Sequence, residues 1–440
     1  MSILIKNGTV LKTENGLQLE KADVLIEGSV IKKVGKISSE EKPGKVIDAQ
    51  GKYVFPGMIC AHHHFYSGLS RGMMIHSGPQ RDLIQILDQW WWRLDRALDE
   101  QSLYYSALIC CIDAIKCGTT ACIDHNESPS FISDSLSVIS SAFEKTGLRG
   151  ITTYGITERN NGVEELKAGT DECVRFIKEI QKKKKQSDVL CEGMIGGHAL
   201  FTISDKGLEM LSQAVKETSR GLHIHVAEGS FDSEYSHFGY GKDLMTRLLD
   251  FDLLSDKTLI AHGIFLNKDE IETLNNCNCY LAHNPRSNMN NRVGYLRDIS
   301  KVKNLILGTD GCSGNMFEEM KIAFLKNREL VSTLWPSDFY NAVLRSNKLV
   351  GSYFDKKLGS VSEGYTADLI ILDYLSPTPM NSDNIAGHLV WGMSSNSVCS
   401  TIVNGKVLFD DHRFTDLDVD EIYSKAREQA EKLWQRTDRI

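Results

Sequence analysis

An apolar run in the first part of the chain, 54–61, leads into three consecutive histidines, His62, His63 and His64. If this run is a β-strand, its side chains alternate between two faces, so His62 and His64 project to the same side. Two imidazoles that converge in this way suit a borderline-soft divalent metal ion such as zinc. An isolated His-x-His pair is more often a polar strand end with hydrogen-bonded histidines, so residues further along the chain have to decide between these interpretations.

Two groups downstream favour a metal centre. His225 and Asp310 each lie at the end of a further apolar run. Together with the histidine pair, they would complete a site of three or four nitrogen and oxygen ligands with one open position. An ion in such a site lowers the pKa of a bound water from about 15.7 towards 7, which makes water a nucleophile for hydrolysis.

Glu228 and His262 are the candidates for proton transfer beside this centre. Glu228 lies three residues after His225, where it could take a proton from the water and return it to a leaving group. His262 could orient the water or stabilise the developing charge. An unpaired carboxylate at the end of an apolar strand is costly, which favours a functional role for Glu228 and for Asp310.

The elements that must position these groups are apolar runs rich in Val, Ile and Leu, which alternate with longer helical patterns. Apolar strands separated by helical sequence indicate a parallel sheet that is covered on its outside. Eight runs predict an α/β fold with a (β/α)8 barrel of the TIM type, in which chemistry lies at the carboxyl ends of the strands. The runs are 58–64, 119–125, 149–156, 190–201, 221–228, 258–263, 279–285 and 305–311. Eight of the thirteen histidines lie at or near these ends: His62, His64, His125, His198, His223, His225, His262 and His283.

Both ends of the chain have a different texture, in which short alternating segments close on glycine. This pattern predicts antiparallel strands and hairpins. We therefore expect the two termini to form one small β-sandwich domain, residues 1–55 and 362–440, which includes a closing amphipathic helix. The barrel, residues 56–361, is inserted between the two parts of this domain.

Composition excludes several classes of protein. The chain of 440 residues has a formal net charge of −8, so no basic surplus indicates a nucleic-acid or anionic-membrane partner. We find no apolar stretch of the roughly 18 residues that a membrane span needs. The eleven cysteines are scattered without C-x-x-C spacing and are typical of reduced core residues. We expect a cytoplasmic enzyme that acts on a small molecule.

Taken together, these motifs resemble the amidohydrolase superfamily across essentially the whole chain. They are Pro56-Gly57, His62-x-His64, His225-x-x-Glu228, Ala261-His262-Gly263, His283-Asn-Pro-Arg-Ser-Asn288 and Gly308-Thr-Asp310-Gly. More narrowly, the chain resembles the cytosine deaminase-like branch, which includes the triazine hydrolases and the S-adenosylhomocysteine deaminases. The segments 64–72, 90–99, 286–291 and 376–388 are most similar to SsnA-type aminohydrolases.

The resemblance implies one divalent ion, zinc with iron as the alternative. It implies that the ligands are His62, His64, His225 and Asp310. By the same resemblance, Glu228 shuttles protons, Asp310 also accepts the water proton, and His262 assists at the attacked carbon.

The resemblance also implies that His198 and His283 lie in the substrate pocket, to which we add His125 as a candidate. The chain departs from the family pattern in three places. Leu200 stands where proline is frequent, Cys60 stands where asparagine is usual, and the run 190–201 lacks the lysine that bridges two metals in some relatives. The missing lysine is the reason for predicting a single ion.

The leading hypothesis is a metal-dependent aminohydrolase, or deaminase, that attacks a C–N bond of a purine, pyrimidine or related heterocycle. The alternative is a cyclic amide hydrolase or a triazine-type chlorohydrolase. A non-catalytic scaffold is disfavoured because every expected ligand and proton-transfer residue is present.

Two further expectations concern ligands and partners. Arg71, Arg159 and Arg286 are candidates for binding a substrate carboxylate or phosphate, although a structural ion-pair partner is the more frequent role for each. The tryptophan cluster at 90–92 is more typical of packing than of a lid or interface. With the habit of the family, it makes a homodimer an open expectation.

Overall fold

The computed structural model describes residues 2–38, 42–74, 78–330 and 333–440. Its strands are β1 Ser2–Lys12, β2 Gln18–Glu27, β3 Val30–Gly35, β4 Lys45–Asp48, β5 Tyr53–Pro56, β6 Met58–His63, β7 Thr119–Asp124, β8 Arg149–Thr152, β9 Cys191–Gly193, β10 Ile195–Ala199, β11 Leu222–Val226, β12 Leu259–His262, β13 Tyr280–His283, β14 Leu305–Leu307, β15 Leu369–Leu372, β16 Val398–Val403, β17 Lys406–Asp410 and β18 Arg413–Phe414.

The α-helices are α1 Leu83–Ile86, α2 Trp92–Ala97, α3 Glu100–Lys116, α4 Ser135–Thr146, α5 Val163–Lys184, α6 Asp205–Thr218, α7 Ser230–Tyr240, α8 Leu244–Asp250, α9 Lys268–Asn276, α10 Pro285–Asn290, α11 Met316–Glu329, α12 Pro336–Phe354, α13 Ile385–Trp391 and α14 Val419–Thr437. Short 3-10 helices cover Phe65–Ser70, Leu200–Thr202, Ile299–Lys301 and Ser395–Ser397, and a π-helical turn covers Leu87–Trp91. Among the helices described, none is both long and apolar enough to cross a membrane.

The central strands form the predicted parallel barrel. Strands β6 to β9 pair in chain order, and strands β10 to β14 do the same. The ring closes where a bridge joins His63 to Asp310 and the Asp310 backbone N–H donates to the His62 carbonyl. Every residue of β6, β7 and β11 is buried, as expected for strands that are covered on one face by helices and on the other by the barrel interior.

The fourth predicted run differs in detail from a single strand. It is divided into β9, which pairs with β8, and β10, which pairs with β11. Between the two pieces, the Met194 N–H donates to the Thr152 carbonyl, and the run ends in a 3-10 turn. The division lets one stretch of chain connect the two halves of the barrel.

The remaining strands form one nine-stranded sheet from both ends of the chain. Its order is β18-β17-β16-β15-β5-β1-β2-β3, and β4 pairs with β1. Antiparallel pairing between β5 and β15 joins the N-terminal strands to the C-terminal ones. The closing helix α14 packs against α3 and α2, and its Trp434 Nε1 donates to the carbonyl of Leu69 in the turn that follows β6. The C-terminus therefore supports the segment after the histidine pair.

Candidate metal centre

The residues of the predicted metal centre lie at or just after the carboxyl ends of barrel strands. His62 belongs to β6 and His225 to β11, while Asp310 follows β14. Two residues of the site have left-handed backbone conformations, with φ of 72° at His262 and 54° at Asp310. Such a conformation is strained for a residue with a side chain and is most often retained where the side chain has a function.

The side chains of this centre converge within hydrogen-bonding distances. Asp310 Oδ1 lies 2.9 Å from His64 Nε2 and 3.4 Å from His62 Nε2. His225 Nε2 lies 3.2 Å from His64 Nε2. Potential ligand atoms of His62, His225, His262 and Asp310 lie within 4.8 Å of one another, and those of His64, His125 and His225 form a second, overlapping group.

The other ring nitrogen of each histidine is already occupied. Nδ1 of His64 contacts the His125 carbonyl at 2.7 Å, and Nδ1 of His225 contacts the His198 carbonyl at 2.6 Å. A carbonyl only accepts, so each Nδ1 carries a proton, and Nε2 is the nitrogen that can bind a second proton or a metal ion. His62 Nδ1 lies 2.8 Å from His223 Nε2, and its own Nε2 is buried and faces Asp310 Oδ1. Three imidazole nitrogens and one carboxylate fit a divalent ion of the zinc or iron type.

The electrostatics of the centre are those of a site that holds a cation. Burial acts to raise the pKa of Asp310, but the hydrogen bonds and charge of His62 and His64 hold it well below its usual range. Burial acts to lower the pKa of His64, but Asp310 raises it to about 9. Burial lowers the pKa of His62 to about 3. One proton on His64 therefore balances the Asp310 carboxylate, and a bound divalent ion would replace this proton.

Glu228 and His262 lie beside the converging ligands. His262 Nε2 is 3.7 Å from Glu228 Oε2 and 4.0 Å from Asp310 Oδ2. Burial raises the pKa of Glu228, although the nearby His262 acts to lower it. The carboxyl group can thus hold a proton at a higher pH than an exposed glutamate, which suits a group that accepts and returns protons.

His64, His225, Glu228 and Asp310 line a small cavity that opens to solvent. The wall also contains aromatic side chains from the segment after β6, from the π-helical turn and from the 3-10 turn after β10. The polar and aromatic lining residues are His64, Tyr66, Trp91, Glu127, His198, Phe201, His225, Glu228, Asp232, Asn291 and Asp310. The cavity thus brings the histidine cluster together with an aromatic wall, which suits a flat heterocyclic ligand.

Of the three histidines predicted to bind substrate, one lines the cavity and two do not. His198 lines the cavity, whereas His125 is buried behind it with Nε2 3.0 Å from the Gly197 carbonyl. His283 is fully buried against the Tyr295 ring and is absent from the cavity wall. The substrate-binding roles of all three histidines stay predictions.

The three arginines are engaged elsewhere. Arg71 forms an ion pair with Asp113 at 2.5 Å on a partly exposed surface. Arg286 binds Glu319 at 2.5 Å. Arg159 forms a buried ion pair with Asp95. None of these guanidinium groups is part of the cavity lining, so their assignment as substrate ligands stays a prediction without support from their positions.

Several residues that support the site lie in the motif 283–288 and the segment 286–291, but no individual role was predicted for them. Ser287 donates to Asp310 Oδ2, and Asn288 Oδ1 lies 2.9 Å from His262 Nδ1. Asn291 Nδ2 donates to Glu228 Oε1 at 3.4 Å. All three come from helix α10 and the residue after it. Their polar run directly after the seventh predicted strand is the signal that could have marked them.

Comparison with known proteins agrees with this geometry. The family model described as "Amidohydrolase family" matches residues 53–408. A 5-methylthioadenosine/S-adenosylhomocysteine deaminase of Thermococcus sibiricus is 32% identical, over 93% of this chain and 94% of the relative. A 5'-deoxyadenosine deaminase of Methanosarcina mazei is 31% identical, over 98% of each chain. Among solved structures, a zinc-bound adenosine deaminase of Xanthomonas campestris has a TM-score of 0.84 with 20% identity over 98% of each chain, a likeness that shows a shared fold.

Proposed function

Because this chain belongs to the amidohydrolase family, we propose that it is a metal-dependent aminohydrolase that releases ammonia from a purine, pyrimidine or related heterocycle. The observation that carries the proposal is the convergence of His62, His64, His225 and Asp310 at one side of a cavity that also contains Glu228. Since relatives of more than 30% identity are named as deaminases of adenosine derivatives, an aminated purine nucleoside is the first substrate to test.

When bound at this centre, a divalent ion lowers the pKa of water towards neutrality. Glu228, whose pKa is raised by burial, accepts a proton from the attacking water and delivers it to the ring nitrogen next to the amino-bearing carbon. His262 Nε2 faces the same space and stabilises the charge that develops there. Asn288 holds the His262 ring through Nδ1, and Ser287 holds the Asp310 carboxylate, so both groups are oriented before the substrate binds.

The test is ammonia release by the zinc-loaded protein from a panel of adenosine, 5'-deoxyadenosine, 5'-methylthioadenosine, adenine, guanine and cytosine. We expect release from at least one member and none after the metal has been removed by a chelator. Chloride release from a chlorotriazine, or ring opening of a cyclic amide without ammonia, would favour the alternative hydrolases. Absence of all three reactions with one equivalent of metal bound would contradict an enzymatic role.

We further propose the number and identity of the metal ion, the compartment, the oligomeric state and the division into domains. We propose one ion per chain, zinc rather than iron, held by the four ligands named above. Eleven free cysteines support a reducing compartment such as the cytoplasm. We also propose a homodimer and a division into a terminal β domain, residues 1–55 and 362–440, and a barrel, residues 56–361. The nine-stranded sheet built from both ends of the chain supports this division.

A further inference from the structure

A carboxylate outside the metal group also faces the cavity. Glu127 lies in the segment after β7 and is 3% exposed, yet it is part of the cavity lining together with Tyr66 and His198. It does not belong to either group of potential metal ligands. The proton-transfer chemistry proposed above has no role for it.

The basic groups around this carboxylate lie at long distances for hydrogen bonds. The nitrogens nearest to it in charged or titratable groups are His125 Nδ1 at 3.5 Å, His198 Nε2 at 3.5 Å and Arg159 at 3.6 Å. These separations are at or beyond the outer limit of a hydrogen bond. Arg159 approaches Asp95 much more closely than it approaches Glu127.

Glu127 is held in its charged form. Burial acts to raise the pKa of Glu127, but His198, His125 and Arg159 hold it below its usual range. Arg159 is shared with a second carboxylate, Asp95, to which it lies closer. A buried carboxylate without a full set of donors is costly, and a ligand that brings a donor to it gains the corresponding free energy.

The Glu127 carboxylate lies near the place where the reacting part of a substrate would bind. His125 belongs to the same close group as His64 and His225, and its Nδ1 lies 3.5 Å from Glu127 Oε1. A heterocycle at the metal centre would therefore present its ring edge, or a substituent directly attached to the ring, towards Glu127.

We propose that Glu127 is a specificity-determining residue that binds a hydrogen-bond donor of the substrate, either an N–H of the heterocycle or a hydroxyl of an attached sugar. This inference rests on the proposed function and extends it. A neutral or cationic donor satisfies the carboxylate, whereas a ligand with only acceptors at this point leaves it unpaired. The chemistry of the site thus selects ligands by their donors.

The experiment measures dissociation constants of two ligand pairs that differ only in the donor. Adenine and 9-methyladenine test a ring N–H, and adenosine and 2',3'-dideoxyadenosine test sugar hydroxyls. Calorimetry uses the zinc-loaded E228Q protein, in which turnover is suppressed, with and without Glu127→Gln. We expect the donor-bearing member of one pair to bind about 10-fold to 100-fold more tightly, and Glu127→Gln to reduce this preference to less than about threefold.

A matched control separates recognition from stability. Glu172 is also a buried glutamate, but it pairs with Arg175 on the surface of α5, away from the cavity. We expect Glu172→Gln to leave both ligand ratios and the zinc content unchanged. Equal binding within both pairs, or a preference that survives in Glu127→Gln and in Glu127→Ala, overturns the proposal. A normal preference in a wild-type protein that releases no ammonia would instead contradict the proposed function and leave the role of Glu127 standing.

Discussion

The arrangement of protons on individual side chains decides what the centre can bind. His64 and His225 each direct Nδ1 to a backbone carbonyl, so their Nε2 atoms point at the same small volume as the Asp310 carboxylate. In water, hydration of the carboxylate and the imidazoles would favour their separation. Buried inside a barrel, it is stable only with a proton or a cation between its members.

Replacing Glu228 with glutamine tests the proton carrier. The amide has nearly the same shape and can keep its contact with Asn291, so we expect the zinc content to be unchanged. Ammonia release should fall by roughly 10²-fold to 10⁴-fold because the amide cannot accept the water proton. Steady-state kinetics with elemental analysis of the same sample measures both. A rate within a few-fold of wild type would remove Glu228 from this role.

Asp124 predicts a pH dependence of stability. Burial raises its pKa from 3.8 to about 7, although Thr152 and the Phe65 N–H donate to it. A carboxyl group whose pKa is raised by folding binds its proton more tightly in the native state than in the unfolded state. The resulting stabilisation is fully present below the pKa of the unfolded state and is lost as the pH rises through the pKa of the folded state. We expect the free energy of unfolding to fall between about pH 4 and pH 7, by up to about 4 kcal/mol from this group.

Asp124→Asn is the variant that isolates this effect. The amide keeps an acceptor for the Phe65 N–H and a donor for the Thr152 hydroxyl, but it has no charge to bury. Denaturant unfolding of both proteins across this pH range should therefore show a weaker decline for the variant. Parallel curves would mean that Asp124 does not bind its proton more tightly in the native state.

At the scale of strands, the site depends on how closely the first and last strands of the barrel approach. Gly308 follows β14, and a Cβ atom there would lie 2.5 Å from Asn284 Oδ1, 2.6 Å from His62 Cβ and 2.8 Å from His62 N. The glycine thus permits the close contact that brings Asp310 to the histidine pair. A side chain at this position would push β14 away from β6.

Gly308→Ala should therefore weaken both the fold and the centre. We expect a loss of about 1 to 3 kcal/mol in the free energy of unfolding and at least about a tenfold weaker zinc affinity, because His62 and Asp310 move apart. Gly387→Ala is the control, since nothing lies within 4 Å of its position in α13. It should leave zinc affinity unchanged and slightly raise stability. Equal zinc affinity in both variants would contradict this account of Gly308.

Sequence patterns predict those features of the strands that are local. The apolar runs and their terminal histidines indicate the barrel because burial on both faces leaves a continuous apolar stretch, and His62, His225 and His262 do lie at strand ends. The division of the fourth run at Met194 is not visible in this pattern. It depends on which neighbour each half pairs with, and every residue of both halves is buried.

Partners from distant parts of the chain are the second feature that spacing cannot predict. Arg71 and Arg286 have the chemistry to bind an anionic substrate, but Asp113 and Glu319 neutralise them. Glu127 is the opposite case, since its sequence neighbourhood is unremarkable for a ligand-binding residue and only the fold brings it to the cavity. Charged residues on loops therefore need the three-dimensional arrangement before a role can be assigned.

At the scale of the whole molecule, a buried ion pair connects the barrel to the terminal sheet. Arg149 of β8 is fully buried, and it binds Asp368, next to β15, through Nε at 2.8 Å and Nη2 at 3.1 Å. Asp368 also accepts the Asn404 N–H at 2.6 Å. These contacts fix the barrel against the sheet that contains both ends of the chain.

Arg149→Ala should destabilise the protein by about 3 to 5 kcal/mol because it leaves the Asp368 carboxylate buried without its cation. Lys178→Ala, which breaks the exposed ion pair with Glu217, should change stability by less than about 1 kcal/mol. Chemical denaturation of the two variants measures the difference. A cost for Arg149→Ala as small as that of the exposed pair would show that this contact does not join the two parts of the molecule.

The most direct test of the account is the position of the metal in a crystal of the zinc-loaded protein, located by anomalous scattering at the zinc edge. We predict one peak per chain, about 2.0 to 2.2 Å from Nε2 of His62, His64 and His225 and from a carboxylate oxygen of Asp310. A peak bound by His125 instead of His62 and Asp310, two peaks in the cavity, or no peak in a protein that still releases ammonia would contradict the account.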